Sequence, residues 1–219
     1  YTGYKTLGLN NCLNDLKINL ESFDGEFVLL TLPMKPLGIR TEDIIEELNL
    51  IISKNKDKTF IIDAVYANDK VLFKNIFSLY ELGNVILMHS MSKMWAIPNI
   101  MGLTFFPESY SEQLNNFKKS NIPVSKTDLI KSYLILHNYN DYPNEINKAL
   151  SDLKNITFNK IKELGFKLNH HYELDKNGYL FYIPDIEPEK FFSYGVLVLP
   201  ASIFGGKSGS IISTLSILK

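Results

Sequence analysis

The chain has 219 residues, 45% of them apolar and 21% charged, with a formal net charge of −1. That length buries a real core in one or two domains, and the near-neutral balance gives no electrostatic reason to expect nucleic acid or an anionic membrane surface as partner. One cysteine, Cys12, excludes an internal disulfide and a zinc site of the multi-cysteine kind.

In chain order, Leu16–Glu21 alternates apolar and polar residues and predicts a first strand, and the nearly continuous apolar run Glu26–Leu32 predicts a buried one. Pro33, Pro36 and Gly38 punctuate a loop. Thr41 with Glu42 and Asp43 starts a helix, continued by Ile44, Leu48 and Ile51 at helical spacing. After a basic turn at Lys54–Lys58, Phe60–Ile62 is a short strand ending at Asp63, Leu72–Tyr80 is helical, and Asn84–Met88 is a further buried strand. Gly102–Phe106 is the next strand. Buried strands alternating with helices predict an α/β fold with a mainly parallel sheet. From Glu108 to Leu164 the chain reads as mostly helical, interrupted near 121–124 and 138–143, with Gly165 ending a long helix, Glu145–Leu164. Gly178–Ile183, Val196–Leu199 and Ile211–Ile217 read as strands of a second, smaller α/β domain. The expected division is 1–125 and 126–219.

Ligands of open parallel sheets sit at the carboxyl ends of the strands. Two polar clusters fall there: Asp63-Ala64-Val65-Tyr66 and Ser90-Met91-Ser92-Lys93. A lysine able to attach a carbonyl group, a carboxylate, a phenol and two hydroxyls form a coherent set for pyridoxal phosphate. Each has a plainer reading. Asp63 and Tyr66 alone fit a loop cap and a packed aromatic, Trp95 fits packing, and His89 fits a satisfied structural histidine. Lys35, His170 and His171 read as solvated, and Gly205-Gly206-Lys207-Ser208-Gly209 lacks phosphate-loop spacing.

Ser90-Met91-Ser92-Lys93-Met94-Trp95-Ala96-Ile97-Pro98, with Gly102 beyond, resembles the lysine motif of class I/II aminotransferases, which are fold-type-I pyridoxal phosphate enzymes. Asp63-Ala64-Val65-Tyr66 is similar to their Asp-x-x-Tyr motif, and Pro33 to Gly38 to their Asn-Pro-x-Gly loop. Pro200 to Gly205, with Thr214-Leu215-Ser216-Ile217, is similar to their C-terminal loop and strand. The resemblance implies part of the large domain followed by the small C-terminal domain. It implies Lys93 as Schiff-base lysine and proton shuttle, Asp63 at the pyridine nitrogen, Tyr66 at the ring oxygen, and Ser90 at the phosphate with Ser92 near it. It also implies a homodimer acting on a small amino donor and a keto acceptor.

The chain departs from the pattern at four places. Lys35 stands for the loop asparagine, Asn99 for the glycine after the proline, Met101 for the phosphate-gripping arginine, and Thr214 for the carboxylate-binding arginine. The family's N-terminal segment has no counterpart, so the chain is expected to be partial, that segment coming from the rest of the protein or another chain. The expected activity is amino-group transfer on an amino acid or related amine. The alternatives are a decarboxylase or lyase of the same fold, or a degenerate non-catalytic relative. No signal peptide or membrane-spanning run is recognisable, and the cytoplasm is the expected location.

Overall fold

A computed structural model describes residues 17, 20–33, 41–97, 100–120, 125–166, 180–183, 186–204 and 208–213, with 41–43, 118–120, 180–182, 204 and 213 in backbone only. The chain forms two compact units, one built from residues 25–33 and 41–149, the other from 1–24, 34–40 and 150–219. Residues 126–149, read above with the C-terminal domain, group with the first sheet.

The first unit holds a four-stranded sheet in the order β1 (Phe27–Thr31), β2 (Thr59–Asp63), β3 (Val85–Ser90), β4 (Gly102–Phe105). The first three strands are parallel and β4 is antiparallel to β3. Helix α1 (Thr41–Lys54) connects β1 to β2, and α2 (Lys70–Tyr80) connects β2 to β3. Ile44, Leu48 and Ile51 of α1 are buried as their spacing predicts, with Leu72, Ile76 and Leu79 of α2. Each such side chain contributes about 1.5–3 kcal/mol on leaving water. Phe60, Ile62, Val85 and Leu87 fill the sheet side of this core.

β1 departs from its expected burial. Leu30 and Leu32 are buried, but Phe27 and Leu29, on the opposite face of this edge strand, are 50% and 63% exposed among the described residues. The Leu16–Glu21 strand is also corrected. Lys17, Leu20 and Glu21 have helical backbone, and the Phe23 amide donates to the Leu20 carbonyl. Six alternating residues also place Leu16 and Leu20 one helical turn apart, so period alone does not decide.

After β3 come α3 (Met91–Met94), α4 (Ser111–Ser120), α5 (Lys126–Asn138) and α6 (Tyr142–Glu163). Gly165 at φ +83° closes α6, its amide donating to the Lys162 carbonyl and that of Phe166 to Ile161.

In the second unit, β5 (Leu180–Ile183), β7 (Ser210–Ser213) and β6 (Leu199–Pro200) form an antiparallel sheet with β7 central. Ile161, Ile183, Ile186, Phe191, Val198 and Ile212 make its core. The expected Val196–Leu199 strand shrinks to Leu199–Pro200. The Val196 amide donates to the Phe191 carbonyl at the end of helix α7 (Pro188–Phe192), and Gly195 turns there at φ +73°. A donor committed to a helix end cannot join a ladder. Gly178, residues 214–217, and the loops at 34–38 and 205–207 lie outside the described residues.

Candidate functional site

The sheet register brings the two polar clusters to neighbouring strand ends. Asp63 pairs with Met88 across β2 and β3, and Ser90 ends β3. The chain leaves β2 by a turn in which the Val65 amide donates to Asp63 Oδ1 at 3.0 Å, so the carboxylate is aimed by its own loop. The Ala67 amide closes the next turn on the Ala64 carbonyl at 2.9 Å. Tyr66 lies between these bonds, half-buried.

Lys93 sits on α3, the single helical turn that follows β3 directly. Its Nζ is 5.3 Å from the centroid of the Tyr66 ring, so the two motifs meet at these side chains. Ser90 occupies the cap position of α3, but its hydroxyl does not cap the helix. The Ser92 hydroxyl donates to the Ile100 carbonyl at 3.4 Å, across the loop that returns to β4.

That loop is braced in three ways. Met91, Met94, Trp95 and Ile100 are buried together, with Phe73, Ile97, Met101 and Ile135 against them. Trp95 Nε1 donates to the Tyr139 carbonyl at 3.1 Å, which gives Trp95 the packing role read from the sequence. Ser132 accepts from the Met101 amide at 3.3 Å and donates to the Asp128 carbonyl at 2.8 Å. Ala96 adopts φ +51°, a left-handed turn that a short side chain tolerates at some cost.

Behind the strand ends, His89 is 5% exposed. Its Nδ1 is 3.1 Å from the Ala64 carbonyl, and its ring centroid is 4.3 Å from that of Phe73. Burial lowers its pKa below the ordinary 6.5, partly opposed by the bond to Ala64. The start of α2 is held from further away. Asp69 caps it through the Val71 and Leu72 amides, and Asn147 of α6 donates to the Asn68 carbonyl at 3.1 Å and to Asp69 Oδ2 at 3.3 Å.

Sequence reading did not single out Ser132 or Asn147. The readable signal for Asn147 is its place on the stripe Asn147, Leu150, Lys154, Thr157, Ile161, all buried on α6. Lys35, Asn99, His170, His171, Lys207, Thr214 and Cys12 lie outside the described residues. Among the described residues, no group of three or more His, Cys, Asp or Glu could hold a metal ion. No helix there is long and apolar enough to cross a membrane.

The donor set fits pyridoxal phosphate on its ring side: an amine, a carboxylate steered by a backbone amide and a phenol ring lie at adjacent strand ends. On the phosphate side, the Ser90 hydroxyl is not spent on α3, whereas Met101 packs into the apolar cluster.

No family model matches the chain, and no curated protein matches it in sequence. Solved structures do match in fold. The PLP-bound C-S lyase from Staphylococcus hominis superimposes with a TM-score of 0.70 at 15% identity, over 94% of this chain and 57% of that one. A PLP-dependent aminotransferase from Streptococcus suis gives 0.70 at 18%, over 91% and 56%. The histidinol-phosphate aminotransferase from Clostridium acetobutylicum gives 0.65 at 17%, over 92% and 62%. These likenesses establish the fold, and the chain spans little more than half the length of the structures it matches.

Proposed function

We propose that this chain, whose fold is that of the fold-type-I pyridoxal phosphate enzymes, is part of such an enzyme, with Lys93 as the residue that carries the cofactor. The observation that carries this reading is the meeting of Lys93 and Tyr66 at 5.3 Å, beside the strand end that holds Asp63. Pyridoxal phosphate, when bound, supplies an electron sink that lets a bond at the substrate's α-carbon break. With that group bound, Asp63 would hold positive charge at the ring nitrogen, and the Tyr66 phenol would donate a hydrogen bond to the ring oxygen. Ser90, with Ser92 near it, binds the phosphate. Lys93 Nζ takes the proton from the substrate's α-carbon and returns it.

The proposed reaction is amino-group transfer between an amino acid or related amine and a keto acceptor, in a homodimer. A lyase reaction is the second reading, supported by the C-S lyase that shares the fold as closely as the aminotransferase does. A non-catalytic relative is the third, supported by Met101 packing in an apolar cluster instead of presenting a charge.

The test is visible absorption of the protein at its full natural length with added pyridoxal phosphate, before and after borohydride, for wild type and Lys93→Ala. A band that borohydride converts into a covalent adduct on the peptide containing Lys93 supports the reading. No band, or a band that survives Lys93→Ala, sinks it. Formation of a new amino acid from a keto acid then separates transfer from lyase activity, which releases a thiol from a thioether amino acid without any acceptor. Sedimentation of the same sample tests the dimer.

A further inference from the structure

We propose that His89 is a positioning residue that fixes the spacing between the strand end carrying Asp63 and the strand end carrying Lys93, an inference that rests on the cofactor reading of those two residues. The β2–β3 register ends at Asp63 and Met88. One residue later the Ala64 amide still donates to the Met88 carbonyl at 2.8 Å. The Ala64 carbonyl is met by the His89 ring at 3.1 Å, so a side chain extends the strand pairing where the chain turns away towards Tyr66.

A carbonyl has no proton to give, so Nδ1 carries the proton of this bond and the lone pair lies on Nε2. Burial favours the neutral ring, consistent with that tautomer. Ala64 is fully buried and His89 nearly so; the Ala64 carbonyl also accepts from the Ala67 amide at 2.9 Å, so a ring lost from this place removes one of its two bonds, the one that reaches across to β3. The ring also packs against Phe73 of α2, at 4.3 Å between centroids. Its bond falls on the residue after Asp63, and its backbone leads directly into Ser90. A shift of this bond therefore moves the carboxylate relative to the amine.

Two measurements decide it. In 15N-labelled wild type at neutral pH, the ring nitrogen shifts of His89 are expected to report the neutral, Nδ1-protonated tautomer; an Nε2-protonated or doubly protonated ring overturns the proposal, and needs no cofactor to do so. In the holoenzyme, His89→Leu is expected to weaken pyridoxal phosphate uptake about tenfold, as the visible band reads it, while His89→Asn, whose amide can donate to Ala64, stays within about threefold of wild type. Equal behaviour of the two variants, whether both like wild type or both weak, overturns the positioning role alone. Failure of the wild type to take up pyridoxal phosphate overturns the proposed function and the role with it, leaving the tautomer to decide the bond.

Discussion

The Lys93 amine lies 5.3 Å from the centre of the Tyr66 ring, although 27 positions of chain separate the two residues. Two effects are combined in Tyr66: a ring face that attracts the amine and a phenol that can donate. Tyr66→Phe keeps the first and removes the second, whereas Tyr66→Leu removes both. The expected order of pyridoxal phosphate affinity is wild type, then Phe lower by about tenfold, then Leu lower again by about threefold. Titration of the visible band measures it, and a Leu variant equal to Phe would remove the ring from the account.

Asp63→Asn separates charge from shape. The amide oxygen can still accept from the Val65 amide, which lies 3.0 Å from the carboxylate in the wild type. Stability is expected to stay within about 0.5 kcal/mol of wild type. Turnover is expected to fall about a hundredfold or more, because a fixed charge at the reacting ring is lost. Thermal melts beside kcat give both numbers, and unchanged turnover would show that Asp63 is only a turn residue.

His89 makes stability depend on pH. Its folded pKa lies below 6.5, so the unfolded chain binds more protons in the window between the two values. Stability therefore rises with pH through that window, is fully present above about 6.5, and is lost as pH falls towards the folded pKa. The melting temperature of wild type is expected to drop on acidification below about pH 6.5. The drop should be smaller in His89→Asn, and equal drops in both would remove His89 as its cause.

Asp69 and Asn147 form a separate support for the loop that carries Tyr66. Asp69→Ala removes two hydrogen bonds to the first turn of α2 and leaves the Asn147 amide with one of its two acceptors. The expected loss is about 1 kcal/mol, or about 3 °C in Tm. Asp69→Ser, which still caps, is expected to recover most of it, and a melt that does not separate the two variants would count against the cap.

The parts of this fold legible in the sequence were those set by local pattern. The strands around Phe60, Leu87 and Leu103 and the helices containing Leu48, Ile76 and Leu150 follow from apolar period and from Gly165 as a stop. Asp63, Tyr66, Ser90, Ser92 and Lys93 stand out in the sequence as two polar clusters at expected strand ends, and of these the structure brings Lys93 to Tyr66. Partners distant in sequence were not legible. Nothing near Met101 announces Ser132, and nothing near Asp69 announces Asn147, 78 positions away. The short strands failed for another reason: Leu16–Glu21 fits two periods at once, and the Val196 amide is claimed by the end of a helix.

The spatial order β1, β2, β3, β4 is also the order of synthesis. A nascent chain that has emerged through Phe105 already contains these four described strands, together with Asp63, Tyr66, Ser90 and Lys93. Each new strand meets its neighbour at the growing edge, one connection back in the chain, and none of the four waits for a neighbour among them made out of turn. The pairing of β2 with β3 that brings the two motifs together therefore uses only residues that precede Gly102 in the chain.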